Sequence, residues 1–142
     1  MFRFVLAAAV VLCAVVPATA QLTVVTDESS YVVGDVVEIT IHNAGPSVVM
    51  FVGTPYYSIT HLESGAVVYG ETQLPEITYL PVGATEVFDF DTDAYPHEPG
   101  HYRIGLHVLE SDPGSILETT YLLEEAVPDE TTAWGALKAS YR

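Results

Sequence analysis

The sequence predicts an all-β fold, an antiparallel β-sandwich with a short C-terminal helix. Three observations predict it. From Leu22 to about Leu123, apolar and polar residues alternate with a period of two. Gly, Pro and Asn interrupt that alternation at spacings of roughly 8–12 residues, as sandwich turns do. Before residue 130 no stretch carries a convincing helical period.

The chain opens on a segment of a different kind. Arg3 supplies one positive charge, Phe4 to Val16 is unbroken apolar sequence, and Pro17 ends it. Ala18-Thr19-Ala20 then places small residues where a signal peptidase reads them. Residues 1–20 read as a cleavable export signal, with the mature chain starting at Gln21. The apolar run is too short for a retained anchor, since a bilayer takes roughly 20 residues. A lipoprotein reading would acylate Cys13, but Leu12 stands where a small residue is needed. Cleavage removes Cys13, the only cysteine, so packing and hydrogen bonds must hold the mature domain without a disulfide. The expected location is secreted, periplasmic or cell-envelope, with no membrane insertion after cleavage.

Charge narrows the partners. The formal net charge is −15, and all 19 acidic residues follow Ala20, against Arg103, Lys138 and Arg142 as the bases there. Such a surface repels nucleic acid and anionic lipid. It fits solubility outside the cell, or attraction of a cation or a basic partner.

The elements follow in order. Val37, Ile39 and Ile41 alternate with Glu38, Thr40 and His42, one set toward a core and the other toward water. Asn43-Ala44-Gly45-Pro46 turns the chain. Val48–Val52 reads as a more buried strand. Tyr57–Leu62 follows Thr54-Pro55, and Glu63-Ser64-Gly65 is a hairpin loop into Val67-Val68-Tyr69. Ile77–Leu80 is short and turns at Pro81-Val82-Gly83. Glu86–Asp91 places Phe88 and Phe90 on one side and Val87, Asp89 and Asp91 on the other. After a long turn, His101–Leu109 carries Tyr102, Ile104, Leu106 and Val108 on one face and His101, Arg103, Gly105 and His107 on the other. Asp112-Pro113-Gly114 turns again, and Ile116–Leu123 closes the set. A closed barrel satisfies the same pattern. Pro99-Gly100-His101-Tyr102 favours the sandwich, because a tyrosine just inside a late strand is where a tyrosine corner sits. Pro99, Gly100 and Tyr102 are therefore the expected structural anchors.

The domain spans residues 21–123. Residues 124–130 read as an acidic linker containing Pro128, and 131–142 as a short helical tail capped by Thr131 or Thr132. Trp134, Leu137 and Tyr141 share one face of that helix. The stripe packs on the domain, or it docks on a secretion or envelope partner.

Catalytic motifs are not apparent: the chain has no Gly-x-Ser-x-Gly elbow, no His-Glu-x-x-His and no phosphate-binding loop. The five histidines, His42, His61, His97, His101 and His107, lack the paired spacing of a zinc site and read as surface imidazoles. Asp89, Asp91 and Asp93 are the best metal candidates, since alternate oxygen ligands suit calcium. A calcium loop starting at Asp89 would place Ala94 and Gly100 where glycine and glutamate belong, so the aspartates read as a wet strand face and no metal or cofactor is expected. Tyr56 and Tyr57 pack into the sheet or line a ligand groove.

Tyr31-x-x-Gly34-Asp35-x-Val37-x-Ile39-x-Ile41-x-Asn43, then Leu80-Pro81-x-Gly83 before Phe88, then Pro99-Gly100-x-Tyr102-x-Ile104, resembles bacterial immunoglobulin-like sandwiches, in particular the BsuPI type of proteinase inhibitor domain. The likeness covers about residues 22–109. It implies a Greek-key immunoglobulin-like sandwich and, as an activity, proteinase inhibition. The matching positions are turns and core residues, so no inhibitory residue carries over. An export signal also departs from that type, whose named member is intracellular. The expected function is an exported, non-catalytic protein-binding module, a proteinase inhibitor by resemblance. An adhesion or envelope-assembly module and a small carboxylate-dependent hydrolase are the rival readings.

Overall fold

The computed structural model describes residues 21–70, 74–94, 98–111 and 115–126. Residues 1–20 with Cys13, read above as an export signal, together with His97, residues 127–130 and the C-terminal residues with Trp134, Leu137 and Tyr141, lie outside the described residues.

Ten strands form, and no helix occurs among the described residues. They are β1 (Leu22–Thr26), β2 (Ser30–Val32), β3 (Val36–Asn43), β4 (Val49–Thr54), β5 (Tyr57–His61), β6 (Val67–Tyr69), β7 (Leu74–Leu80), β8 (Thr85–Asp91), β9 (Gly100–Leu106) and β10 (Glu118–Glu124). One sheet has the order β1-β3-β8, a second β2-β10-β9-β5-β6, and β4 and β7 pair as a two-stranded ribbon. The ribbon continues the second sheet past the end of β9. Phe51 bridges Val108, the Val52 N–H donates to the His107 carbonyl at 2.8 Å, and the Leu109 N–H donates to Met50 at 2.9 Å.

The alternation read from the sequence sets the core. In β3, Val37, Ile39 and Ile41 are buried while Val36 and Glu38 are exposed. In β9, Tyr102, Ile104 and Leu106 do the same. Each large side chain so buried contributes roughly 1.5–3 kcal/mol. The apolar faces of the two larger sheets meet: the Tyr57 ring lies 5.3 Å from Phe88, and Tyr69 lies 5.6 Å from Phe90. This all-β, two-layer arrangement is compatible with a β-sandwich. β3 and β8 are neighbours in one sheet; the chain passes from β3 through the ribbon strand β4 to β5, and from β8 directly to β9, and β5 and β9 are neighbours in the other.

Several expectations change. Pairing is antiparallel except between β2 and β10, which run parallel. Hairpins enforce antiparallel neighbours; these two strands meet from opposite ends of the domain, so no turn sets their direction. The final strand extends through Glu124, whose Oε1 accepts a 2.9 Å bond from Ser30 Oγ, so the linker begins later than residue 124. β4 is not the more buried strand expected from Val48–Val52. Phe51 is buried but Val48 and Val52 are exposed, because β4 leaves one ribbon face uncovered. The barrel alternative does not arise among the described pairings, which leave each sheet open.

Two local devices hold the turns. Asn43 is buried, and its Nδ2 donates to the carbonyls of Ser47, Leu80 and Pro81 at 2.9, 3.0 and 3.2 Å. Its Oδ1 accepts from Gly45 N–H at 3.0 Å. One side chain thus ties the β3–β4 turn to the β7–β8 turn. Tyr31 donates to Asp27 Oδ1 at 2.6 Å and accepts from Glu28 N–H at 2.8 Å. Burial, reinforced by the Asp27 carboxylate, pushes the Tyr31 phenol up to about 12.

Candidate functional site

The β4–β7 ribbon has two unlike faces. Register sets Met50 opposite Tyr79 and Val52 opposite Ile77. Alternation puts these four on the face turned away from Phe51 and Thr78. That face is open to solvent: Val52 is 38% exposed, Ile77 51% and Tyr79 57%, and Leu109, bonded to Met50, is 57% exposed. Scattered apolar residues are ordinary on a surface, but a contiguous set on one sheet face marks an interaction surface. β7 pairs only with β4 among the described strands, so its other edge is open as well.

The opposite face of the ribbon closes a groove. Tyr56, Tyr57, Tyr69 and Phe88 line it together with Glu76 and Thr78 of β7, and it encloses about 350 Å³. Its rings form one cluster. Tyr56 stacks on Phe51 at 4.3 Å and meets Phe88 edge-on at 5.6 Å, while Tyr57 lies 5.2 Å from Tyr69. The Tyr56 hydroxyl donates to Glu86 Oε2, and burial with this bond raises its pKa. Thr54 Oγ1 donates to Glu76 Oε2 at 2.8 Å and holds that carboxylate at the groove. Tyr56 and Tyr57 therefore do both things expected of them: they are buried in the core, and they line a concavity.

A second cluster sits where β5 ends and β9 begins. Glu63 Oε1 is 2.8 Å from His101 Nδ1 and its Oε2 is 3.1 Å from His61 Nε2. The His101 N–H also donates to Glu63, at 2.9 Å to Oε1. These bonds hold the Glu63 carboxyl at about 2, well below the usual carboxylate range. His61 is not the surface imidazole expected. It is buried, bonded to Ser64 Oγ at 2.7 Å through Nδ1, and packed 4.9 Å from the Tyr102 ring. The alternation Tyr57-Ile59-His61 carried that signal, since all three share the buried face of β5. Gly100 stands beside this cluster with φ of +153°, and a Cβ there would collide with the His61 ring and the Glu63 carboxylate. Tyr102 is fully buried, stacks on Tyr121 at 5.3 Å and donates to the Glu98 carbonyl at 2.6 Å. Pro99 sits between that carbonyl and Gly100.

The aspartates stay apart from both clusters. Asp89 faces Glu38 and Asp91 faces Val36 across the β3–β8 pair. The Asp93 N–H donates to Asp91 Oδ1 at 2.8 Å, a local turn bond. Among the described residues, no three His, Cys, Asp or Glu side chains are grouped to hold a metal ion. His42 bonds Thr85 Oγ1 at 2.9 Å and His107 lies 3.1 Å from Ser58 Oγ, so these imidazoles serve separate strand pairs. Glu76, Glu86 and the outward face of the ribbon were not singled out by the sequence. Ile77 and Tyr79 alternate with Thr78, but nothing local says which set is buried.

No protein-family model matches the chain, and no curated protein is similar to it in sequence. Solved structures similar in part include the alkylpurine DNA glycosylase AlkC of Pseudomonas fluorescens bound to DNA containing an abasic site analogue, at 17% identity and a TM-score of 0.40. The β-glucosidase of Listeria innocua in complex with isofagomine gives 15% and 0.37, and the β-glucosidase EmGH1 of Erythrobacter marinus gives 18% and 0.33. They match 75%, 75% and 72% of this chain, which spans 31%, 16% and 15% of theirs. At these scores none of the three bears on function.

Proposed function

We propose that this chain is an exported, non-catalytic protein-binding module that engages its partner through the β4–β7 ribbon. The observation that carries the reading is the open apolar face of Val52, Ile77 and Tyr79, with Leu109 beside it. A ribbon gains nothing by holding such side chains in water; a partner surface gives them burial. The sequence supports export through Pro17 and Ala18-Thr19-Ala20, and its acidity argues against nucleic acid as the partner.

The fold reading that goes with this is an immunoglobulin-like Greek-key sandwich. The crossings from β3 through β4 to β5 and from β8 to β9, the late-strand Tyr102 bonded back to Glu98, and the Pro99-Gly100 turn support it. Proteinase inhibition of the BsuPI type is the activity that resemblance implies. It predicts that titrating an extracellular protease with this protein brings residual activity linearly to zero at one equivalent.

The ribbon reading is tested by affinity purification of the tagged protein from the organism that exports it, beside the Ile77→Asp/Tyr79→Asp variant. The wild type retains a stoichiometric partner, and the variant loses it while keeping its melting temperature. A variant that retains the same partner overturns the ribbon as the contact surface.

A further inference from the structure

The groove behind the ribbon has the chemistry of a cation site. Tyr56, Tyr57, Tyr69 and Phe88 bring four aromatic rings to one concavity of about 350 Å³, at the small end of ligand sites, which run roughly 300–1,000 Å³. Aromatic faces attract cations through the ring quadrupole. Two carboxylates accompany the rings. Glu76 lines the groove, oriented by its 2.8 Å bond from Thr54, and a carboxylate keeps acceptor capacity beyond one such bond. Glu86 accepts the hydrogen bond of the Tyr56 hydroxyl, which makes that phenol oxygen more electron-rich and its ring a better partner for positive charge. Among the described residues no Lys or Arg lines the groove, and the chain as a whole carries a formal charge of −15. An anionic occupant would meet the like charge of Glu76.

We infer that this groove receives an arginine side chain of the protein partner. The inference rests on the protein-binding reading above and adds the chemistry of the contact. A guanidinium is planar, stacks on aromatic faces and meets a carboxylate through two N–H donors, so one group uses both features of the groove. The ribbon links the two surfaces: its outward face offers apolar contact, and its inward face carries Glu76 beside the rings. An arginine entering there anchors a chain that lies against the ribbon.

The test is an NMR titration of ¹⁵N-labelled exported protein with the peptide acetyl-Gly-Arg-Gly-amide and with its citrulline counterpart. Citrulline keeps the shape and removes the charge. The arginine peptide produces saturable shifts at Thr54, Tyr56, Tyr57, Tyr69, Glu76 and Thr78, and the citrulline peptide binds at least about tenfold more weakly. Glu76→Gln lowers arginine-peptide affinity by about tenfold without changing the melting temperature. Tyr69→Leu, which keeps apolar bulk and removes a ring, lowers it as well. Equal affinity for the two peptides, shifts centred elsewhere, or no shifts overturns the inference. The Ile77→Asp/Tyr79→Asp variant separates the two proposals. If it loses the partner while arginine-peptide binding is absent from the wild type, the ribbon stands and the groove assignment falls. If the wild type binds the arginine peptide in the groove, the groove assignment stands whether or not the ribbon is confirmed.

Discussion

The Tyr102 hydroxyl donates a 2.6 Å hydrogen bond to the carbonyl of Glu98, four residues upstream, while its ring stacks on Tyr121. The bond fastens the approach to β9 and the ring fills the core where β9 and β10 pair. Tyr102→Phe keeps the ring and loses the bond, and costs about 0.5–1.5 kcal/mol. Tyr102→Ala leaves a cavity and costs about 3–5 kcal/mol. Chemical denaturation measures both, and two variants as stable as wild type would contradict the assignment.

That residue was legible in the sequence because every signal for it is local: a Pro-Gly turn, then a strand with clean alternation. The buried sets of β3, β8 and β9 were legible for the same reason. The ribbon was not. Val48-Val49-Met50-Phe51-Val52 is apolar at every position, so its pattern cannot show that Phe51 points inward and Val52 outward. That choice is made by the partner strand β7 and the bridge to Val108, which are distant in sequence. The parallel β2–β10 pair is hidden likewise, since β2 is three residues long. Glu76 and Glu86 were two among many acids, and only the fold brings them beside the tyrosines.

Asn43 joins two turns through four hydrogen bonds from a buried side chain. Asn43→Ala strips the Ser47, Leu80 and Pro81 carbonyls of that donor and costs about 3 kcal/mol. Asn43→Asp costs at least as much, because it turns a carboxylate toward those carbonyls. Urea denaturation decides; a loss no larger than that of an ordinary surface substitution would show that water replaces the amide.

Glu63 makes stability depend on acid. Its folded pKa of about 2 lies below the 4.5 of an ordinary glutamate, chiefly through the His101 backbone and side-chain bonds. A carboxylate lowered in this way stabilises the fold above its unfolded pKa, and the contribution is lost as pH falls from about 4.5 to about 2. Glu63→Gln is therefore less stable than wild type at neutral pH, and the gap closes across that interval. Denaturation midpoints measured from neutral pH to pH 2 follow this; a constant gap contradicts it.

Glu38 and Asp89 face each other across β3 and β8 with like charge. Such a pair is destabilising, so Glu38→Lys raises stability by about 0.2–1 kcal/mol, and added salt narrows the difference. A lower melting temperature for the variant at low salt would count against it.

Among the described residues, Asp89, Asp91 and Asp93 do not converge on a common point with other ligands. Calcium and magnesium at equal ionic strength therefore give the same melting curve. A calcium-specific rise that disappears in Asp91→Asn would reveal a site that the folded geometry does not provide.

Placing a photo-crosslinking amino acid at Tyr79 tests the central claim most directly. The control is the same substitution at Val25, an exposed apolar position on β1. Both proteins are produced in the native organism, irradiated, and resolved by mass. Position 79 yields one discrete protein adduct and position 25 yields none. Adducts from position 25 alone, the same adducts from both positions, or none from position 79 would contradict a partner surface on the β4–β7 ribbon.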